Sequence, residues 1–322
     1  MAAEAATSSA RQKNLPPLIN SWLTSSHKTR WILGDQELEK RRAACYEKSL
    51  GEIERYKPES ASTSKSGDNL AVVAVSLEEQ KQLLSYYEKT LSKICSLFRM
   101  PRKILAISIV YLKRFYLKFT VLDHEPWRIM VTCVYLACKV ENAYLAAEEL
   151  AKGVQQDARV VEKIVLGSEM TLLQGLDFDL VVHTPYASLR GFLYELENRC
   201  QFEGWDPDRA ETLSSALRKR ANKSLDALLF SDAPLTFSPG ILAYAALQVA
   251  AKKMEGEDKQ MVESFFGHCR TKAGNTEKLA EFVKKVHKLG ARGSASLADE
   301  GVLKEIDRKV KLCRNPVYDP TR

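Results

Sequence analysis

Apolar positions recur at helical spacing along most of this chain, and the residues between those runs predict where helices begin. Ser76 and Glu79 form a capping-box pattern, and Asp157 stands where it can cap another helix. The pairs Thr184-Pro185, Asp206-Pro207 and Ser238-Pro239 each place a capping residue before a proline suited to the first helical position. The helices outside these pairs are expected at about 36–56, 76–98, 101–119, 144–152, 157–175, 276–290 and 303–313. One more, the most apolar, is expected to start within Asp123–Pro126 and to run to about 141.

The alternation of apolar and polar residues that is typical of a strand is almost missing from the sequence. Residues 176–182 come nearest to it, but this run is short. The predicted fold class is therefore all-α.

The run from Ile129 to Cys138 is apolar apart from Thr132, with small residues at Cys133 and Ala137. It is too short to span a bilayer, which takes roughly 20 apolar residues. Apolar residues on every side of a helix indicate burial at the centre of a bundle. Lys139 ends this run, so it marks either a solvated helix end or a contact surface.

A shift of about 113 residues places Ile129–Lys139 on Leu242–Lys252, which is also apolar and also ends in lysine. Packing alone could make two buried helices alike, but the number and spacing of the flanking helices match as well. Two tandem five-helix bundles with extra N-terminal and C-terminal helices are expected. The expected units are a flexible segment 1–26, a helix within 27–57, a linker 58–75, bundles 76–182 and 183–290, and a helix and tail 291–322.

Composition narrows the class of protein only slightly. The chain has 322 residues, 45% of them hydrophobic, and a net charge of +7, which permits acidic partners without indicating a nucleic-acid binder. Its first thirteen residues lack the apolar core of a secretory signal. The seven scattered cysteines include no Cys-x-x-Cys pair, as expected in a reducing compartment, so the nucleus or cytoplasm is predicted.

Sequence signatures of catalysis are missing from the chain. It contains no phosphate-binding Gly-rich loop, no His-Glu-x-x-His and no Gly-x-Ser-x-Gly. The five histidines are dispersed, and His268-Cys269 has no second pair to complete a zinc site. We therefore expect no enzymatic activity, no catalytic residue, no metal and no cofactor.

Three segments carry a family resemblance: Val110–Tyr116, Tyr135–Glu141 and Leu176–Leu180. In this order and spacing they resemble the first cyclin box, and the tandem five-helix organisation is similar to that of cyclins. Within the family, Ile129–Cys133 and Asp179–Tyr186 are similar to the cyclin H branch, which activates cyclin-dependent kinase 7. The resemblance covers about residue 27 to the end and is strongest between 101 and 192.

The resemblance implies a kinase-binding role for Lys139 and Glu169, which match the lysine and glutamate that grip the kinase's regulatory helix in cyclins. An ammonium can donate to helix-end carbonyls, and a carboxylate can accept from backbone N–H groups. The plainer alternatives are a cation that favours a helix C-terminus and an ordinary exposed helical residue.

Apolar residues at matching positions are implied to complete the kinase-binding surface. Leu136 and Leu173 are expected to be shared with the core, whereas Phe178 and Leu180 suit either an interface or the core. Arg114 is expected to be structural, paired with a carboxylate or a helix end. The implied apolar set is Leu136, Val140, Leu173, Phe178 and Leu180.

One departure concerns substrate recruitment. Cell-cycle cyclins carry a Met-Arg-Ala-Ile-Leu patch on the first helix, but the matching segment here, Leu83–Tyr87, lacks the arginine. The resemblance therefore favours the transcriptional, kinase-activating branch. It implies a complex with cyclin-dependent kinase 7 and an assembly factor, within the CDK-activating kinase and general transcription factor H, in the nucleus. The alternatives are a cyclin of another transcriptional kinase and a nucleic-acid-binding protein similar to transcription factor IIB.

Overall fold

The computed structural model of this protein describes residues 21–55, 75–143, 145–293 and 298–314. Within these ranges every regular element is a helix, which confirms the all-α prediction. Three helices precede the first bundle: α1 (Ser21–Thr24), α2 (Ser26–Trp31) and α3 (Asp35–Arg55).

The first bundle contains five helices, and its central helix is the apolar one found in the sequence. The five are α4 (Leu77–Leu97), α5 (Arg102–Phe115), α6 (Pro126–Val140), α7 (Ala147–Gly153) and α8 (Ala158–Gly175). Cys133 and Ala137 on α6 are fully buried, so α5 and α8 can pack closely against it. Thr132 is also buried, and its hydroxyl donates to the Arg128 carbonyl at 2.8 Å.

The second bundle repeats this arrangement around a second alanine-rich helix. It comprises α9 (Pro185–Phe202), α10 (Pro207–Leu229), the short α11 (Ala233–Thr236), α12 (Pro239–Ala251), α13 (Gly256–Ala273) and α14 (Thr276–Gly293). Ala243, Ala245 and Ala246 of α12 are buried. The last helix, α15 (Glu300–Leu312), returns to the first bundle, where Ile306 and Val310 join its core.

Most of the predicted helix starts are confirmed. Ser76 and Glu79 form the reciprocal capping box, and Asp157, Asp206 and Ser238 each accept a backbone N–H through the side chain. Thr184 is the residue before its helix and Pro185 opens it, as predicted, although the Thr184 side chain forms no capping hydrogen bond.

The predicted helix limits are wrong in three places. Residues 21–24, expected to be flexible, form α1, because Trp22 packs edge-on against His27 and His183. The helix expected from residue 101 to 119 ends at Phe115. Gly290 does not close its helix, which continues to Gly293.

The helix predicted at 36–56 corresponds to α3, and α2 is a separate helix before it. Ile32 is extended, and the Leu33 N–H donates to the Leu235 carbonyl of α11 at 2.8 Å. This long-range bond diverts the backbone from the helical path. The predicted flexible residues 1–20, nearly all of the linker 58–75 and the tail after residue 314 lie outside the described residues.

Candidate functional site

Lys139 and Glu169 lie side by side on one surface of the first bundle. Lys139 is in the last turn of α6 and Glu169 is on α8, and their Nζ and Oε1 atoms are 2.6 Å apart. The Lys139 side chain is 51% exposed, and the hydrogen bond that it donates to Glu169 raises the pKa of this lysine. The Glu169 side chain is 19% exposed, so the lysine is the more accessible member of the pair.

The apolar residues expected around this pair differ in burial. Leu136 is only 3% exposed and belongs to the core, whereas Val140 and Leu173 are half-buried and pack on its edge. The last two can therefore contribute to the core and to a partner surface at once.

Helix α8 carries an exposed apolar pair that the sequence analysis missed. Leu166 is 58% exposed and Met170 is 57% exposed, on either side of Glu169 in the helical sequence. Their four-residue spacing, continued by Leu173, puts them on one face that differs from the buried face of Val161 and Val165. Two apolar faces on a single helix are the signal that could have revealed them.

The segment after α8 projects a large apolar side chain into solvent. Asp177 and Phe178 both have positive φ angles, 52° and 58°, which residues other than glycine rarely adopt. Phe178 is 60% exposed, so it does not plug its own bundle, whereas Leu180 is half-buried against the first core. We name Lys139, Leu166, Glu169, Met170 and Phe178 together the α6/α8 surface.

Helix α2 holds the Asp177–Leu180 segment from outside the bundle. Both oxygens of the Asp179 carboxylate are used: Oδ1 accepts from Arg30 Nη2 at 2.6 Å and Oδ2 accepts from Trp31 Nε1 at 2.8 Å. The Trp31 ring is buried and lies 4.9 Å from the Arg114 guanidinium. A tertiary contact therefore maintains the unusual backbone of this segment.

Arg114 is fully buried, which agrees with the expected structural role. Its Nη1 donates to the Asp179 backbone carbonyl at 3.1 Å, rather than to a carboxylate or a helix end. Burial lowers the pKa of Arg114 to about 10, so this side chain stays charged at neutral pH. Its hydrogen bond therefore links α5 directly to the segment that presents Phe178.

Three other features would indicate a further function: a metal site, a membrane-spanning helix or a substrate-recruiting patch. No group of three His, Cys, Asp or Glu side chains there could hold a metal ion. Likewise, no helix in the described part of the chain has the length and apolarity to cross a membrane. Leu83, in the segment that matches the substrate-recruiting patch of cell-cycle cyclins, is buried.

Comparison with known proteins assigns the two bundles. Residues 59–181 match the model of the cyclin N-terminal domain, and residues 184–291 match that of the cyclin C-terminal domain. The chain is 32% identical over 305 residues to cyclin-H1-1 of Arabidopsis thaliana, with 90% of this chain and 88% of that protein covered. The chain belongs to the cyclin family.

Further relatives agree with this assignment. Cyclin-H of Xenopus laevis is 32% identical over 216 residues, which cover 66% of this cyclin and 63% of the relative. A chain in the structure of the Chaetomium thermophilum CAK complex bound to ATP-gamma-S has a similar fold, with a TM-score of 0.71 at 20% identity over 94% of this cyclin and 91% of that chain. A chain of the yeast TFIIK (Kin28/Ccl1/Tfb3) complex has a TM-score of 0.58 at 22% identity, covering 83% and 99%.

Proposed function

We propose that this cyclin binds and activates a cyclin-dependent kinase through the α6/α8 surface. The observation that carries the proposal is the Lys139–Glu169 pair at 2.6 Å, with its lysine half exposed. Leu166 and Met170 are exposed on the same helix as Glu169, and Phe178 is exposed just after it. Interfaces need such an apolar centre, because exposed ion pairs alone contribute little affinity. Charged groups within it supply orientation.

The proposed mechanism is differential binding of two kinase conformations. Lys139 donates to carbonyls left unpaired at the end of the kinase's regulatory helix, while Glu169 accepts from backbone N–H groups. These bonds form when the helix is in its active position, so binding shifts the kinase population towards that state. The kinase's own ion pair and magnesium site then assemble for phosphoryl transfer.

We assign the partner as cyclin-dependent kinase 7, in a CDK-activating kinase that includes an assembly factor and serves general transcription factor H. The cyclin-H names of the relatives support this choice, as do the CAK and TFIIK complexes in which similarly folded chains occur. The proposed location is the nucleus, and the cytoplasm can hold part of the protein. On this proposal the chain is an activator and has no catalytic site.

The test measures affinity for cyclin-dependent kinase 7 and its phosphorylation rate with Lys139→Ala, Glu169→Ala and the double variant. Each single change is expected to weaken binding roughly 10-fold to 100-fold, as for central interface residues. The double variant should lose less than the sum, because the two side chains act together. Lys304→Ala is the control, since Lys304 also pairs with a glutamate, Glu300, but on the exposed side of α15.

Unchanged affinity and activation in the double variant would sink the proposal, as would a kinase equally active without this cyclin. Repeating the assay with other cyclin-dependent kinases distinguishes kinase 7 from another transcriptional kinase. Submicromolar DNA binding with a steep salt dependence would instead favour the nucleic-acid-binding alternative.

A further inference from the structure

The second bundle contains an open apolar groove where the first bundle is filled. A shift of 113 residues places Tyr111 and Arg114 of α5 on Ser224 and Ala227 of α10. It likewise places Thr132, Cys133 and Leu136 of α6 on Ala245, Ala246 and Val249 of α12. These five residues of the second bundle, together with Gly290 of α14, line a groove of about 290 Å³. Small side chains replace large ones, so the space between the three helices is left open.

In the first bundle the corresponding space is covered by the chain itself. The Tyr111 hydroxyl donates to the Leu180 carbonyl at 2.7 Å, and Arg114 donates to the Asp179 carbonyl at 3.1 Å. The covering segment, Asp177–Leu180, alternates carboxylates with a phenyl ring and an aliphatic side chain.

The described residues of the second bundle include no matching segment at this place. Helix α14 continues to Gly293, where a Cβ atom would collide with the Ala227 carbonyl. Among the described residues, the chain therefore passes beside the groove as a helix and leaves it open to solvent.

Positive charge surrounds this groove. Lys223 lines it, Lys219 lies one helical turn earlier on α10, and Lys252 follows Val249 by three residues at the end of α12. Lys284 precedes the lining residue His287 by one turn on α14. All four lysines are exposed, and within the described ranges no carboxylate oxygen lies within 4.0 Å of their ammonium groups.

We propose that this groove binds an acidic amphipathic segment of a partner protein. An aliphatic side chain of that segment enters between Ala246, Val249 and Gly290, and flanking carboxylates reach the four lysines. This is the helix-in-groove mode of recognition with complementary charge. The inference is independent of the kinase proposal, because it uses a different bundle and different residues.

The test is fluorescence anisotropy of a labelled helical peptide, built from glutamate with leucine at every third or fourth position, against the full chain. We expect saturable binding with Kd of about 10 to 100 μM at physiological salt, which is usual for a single short segment. Lys223→Glu with Val249→Glu should weaken it by about tenfold or more, since like charges then meet. The control is Lys304→Glu, which makes the same lysine-to-glutamate change outside both bundles and should leave Kd within about twofold.

Two matched peptides separate the apolar from the charged contribution to binding. One has alanine in place of leucine and the other has glutamine in place of glutamate, and both should bind more weakly than the original peptide. Methyl NMR should show shifts at Ala245, Ala246 and Val249. A helical circular-dichroism spectrum and a cooperative thermal unfolding transition of the Lys223→Glu/Val249→Glu variant show that it is folded. No saturable binding, equal binding by this variant, or methyl shifts confined to the first bundle would each overturn the proposal.

Discussion

At the scale of single residues, this cyclin buries charged side chains in its core as an ion pair. Lys113 and Glu88 form an ion pair of 2.7 Å with both side chains less than 10% exposed. Burial raises the pKa of Glu88, which opposes the effect of the lysine charge. Removing one partner of such a pair is strongly destabilising, because it leaves an uncompensated charge in the core. The pair therefore constrains how α4 packs on α5.

His27 is the buried residue that most directly couples stability to pH. Burial, with the charge of Arg114 nearby, lowers the pKa of His27 to about 3, and its Nδ1 accepts the His183 N–H at 3.0 Å. The unfolded chain binds a proton at this histidine near pH 6.5, whereas the folded chain does not. Stability is therefore fully present above about pH 6.5 and is lost as pH falls towards 3.

We predict that the unfolding free energy falls by up to about 1.4 kcal/mol per pH unit below pH 6 through His27. In His27→Asn, an amide oxygen takes the place of Nδ1 as the acceptor, so this variant should show a flatter pH dependence. Urea titrations between pH 7.5 and 5 measure both proteins. Parallel pH profiles would contradict the assignment.

At the scale of elements, helix α2 controls the segment that follows α8. Arg30 and Trp31 both bind the Asp179 carboxylate, and Arg30 also lies 3.8 Å from Asp177. A hydrogen bond to a charged group contributes about 1.5–3 kcal/mol. This contact joins residues that are almost 150 positions apart in the sequence, and it holds Phe178 in its exposed position.

Freeing Asp179 with Arg30→Gln and Trp31→Phe is predicted to accelerate hydrogen exchange of the Phe178 and Asp179 amides by about tenfold or more. Kinase affinity should fall as well, because Phe178 is no longer preorganised. Exchange mass spectrometry and binding assays measure the two effects. Arg41→Gln, which removes an exposed pair within α3, serves as the control. Unaltered exchange in the double variant would show that α2 does not restrain this segment.

At the scale of the whole molecule, both ends of the described chain pack on the first bundle. Lys309 of α15 pairs with Glu79 of α4 at 2.6 Å, and Ser49 of α3 donates to Asp123 at 2.7 Å. The second bundle connects to the first through Asp226, which accepts from Tyr186 at 2.6 Å and pairs with Arg102. The first bundle is thus stabilised by elements that come before it and long after it.

Deleting residues 298–322 is predicted to destabilise the first bundle selectively. Ile306 and Val310 leave its core, and each buried aliphatic side chain contributes about 1.5–3 kcal/mol. Hydrogen exchange should accelerate in α4 and much less in α12. Equal acceleration in both bundles would mean that α15 stabilises the protein as one cooperative unit.

Local signals in the sequence determined the helices and their core faces. A capping side chain such as Ser76 or Asp157 acts within one turn of its own helix. Apolar residues on every side of Ile129–Cys138 indicate a buried helix, whichever helices pack against it. The all-α class and the two-bundle repeat followed from these patterns. The role of Lys139 came from family resemblance, and it stays a prediction.

Tertiary structure decided which distant residues meet. Lys139 reaches Glu169 across 30 residues because α6 and α8 pack side by side, and Trp31 meets the Asp179 carboxylate, next to Phe178, from a separate helix. The groove beside Ala246 remains open because α14 runs on past Gly290. A helical pattern specifies which face is apolar, but not which partner covers it. That depends on side-chain volumes contributed by several helices at once.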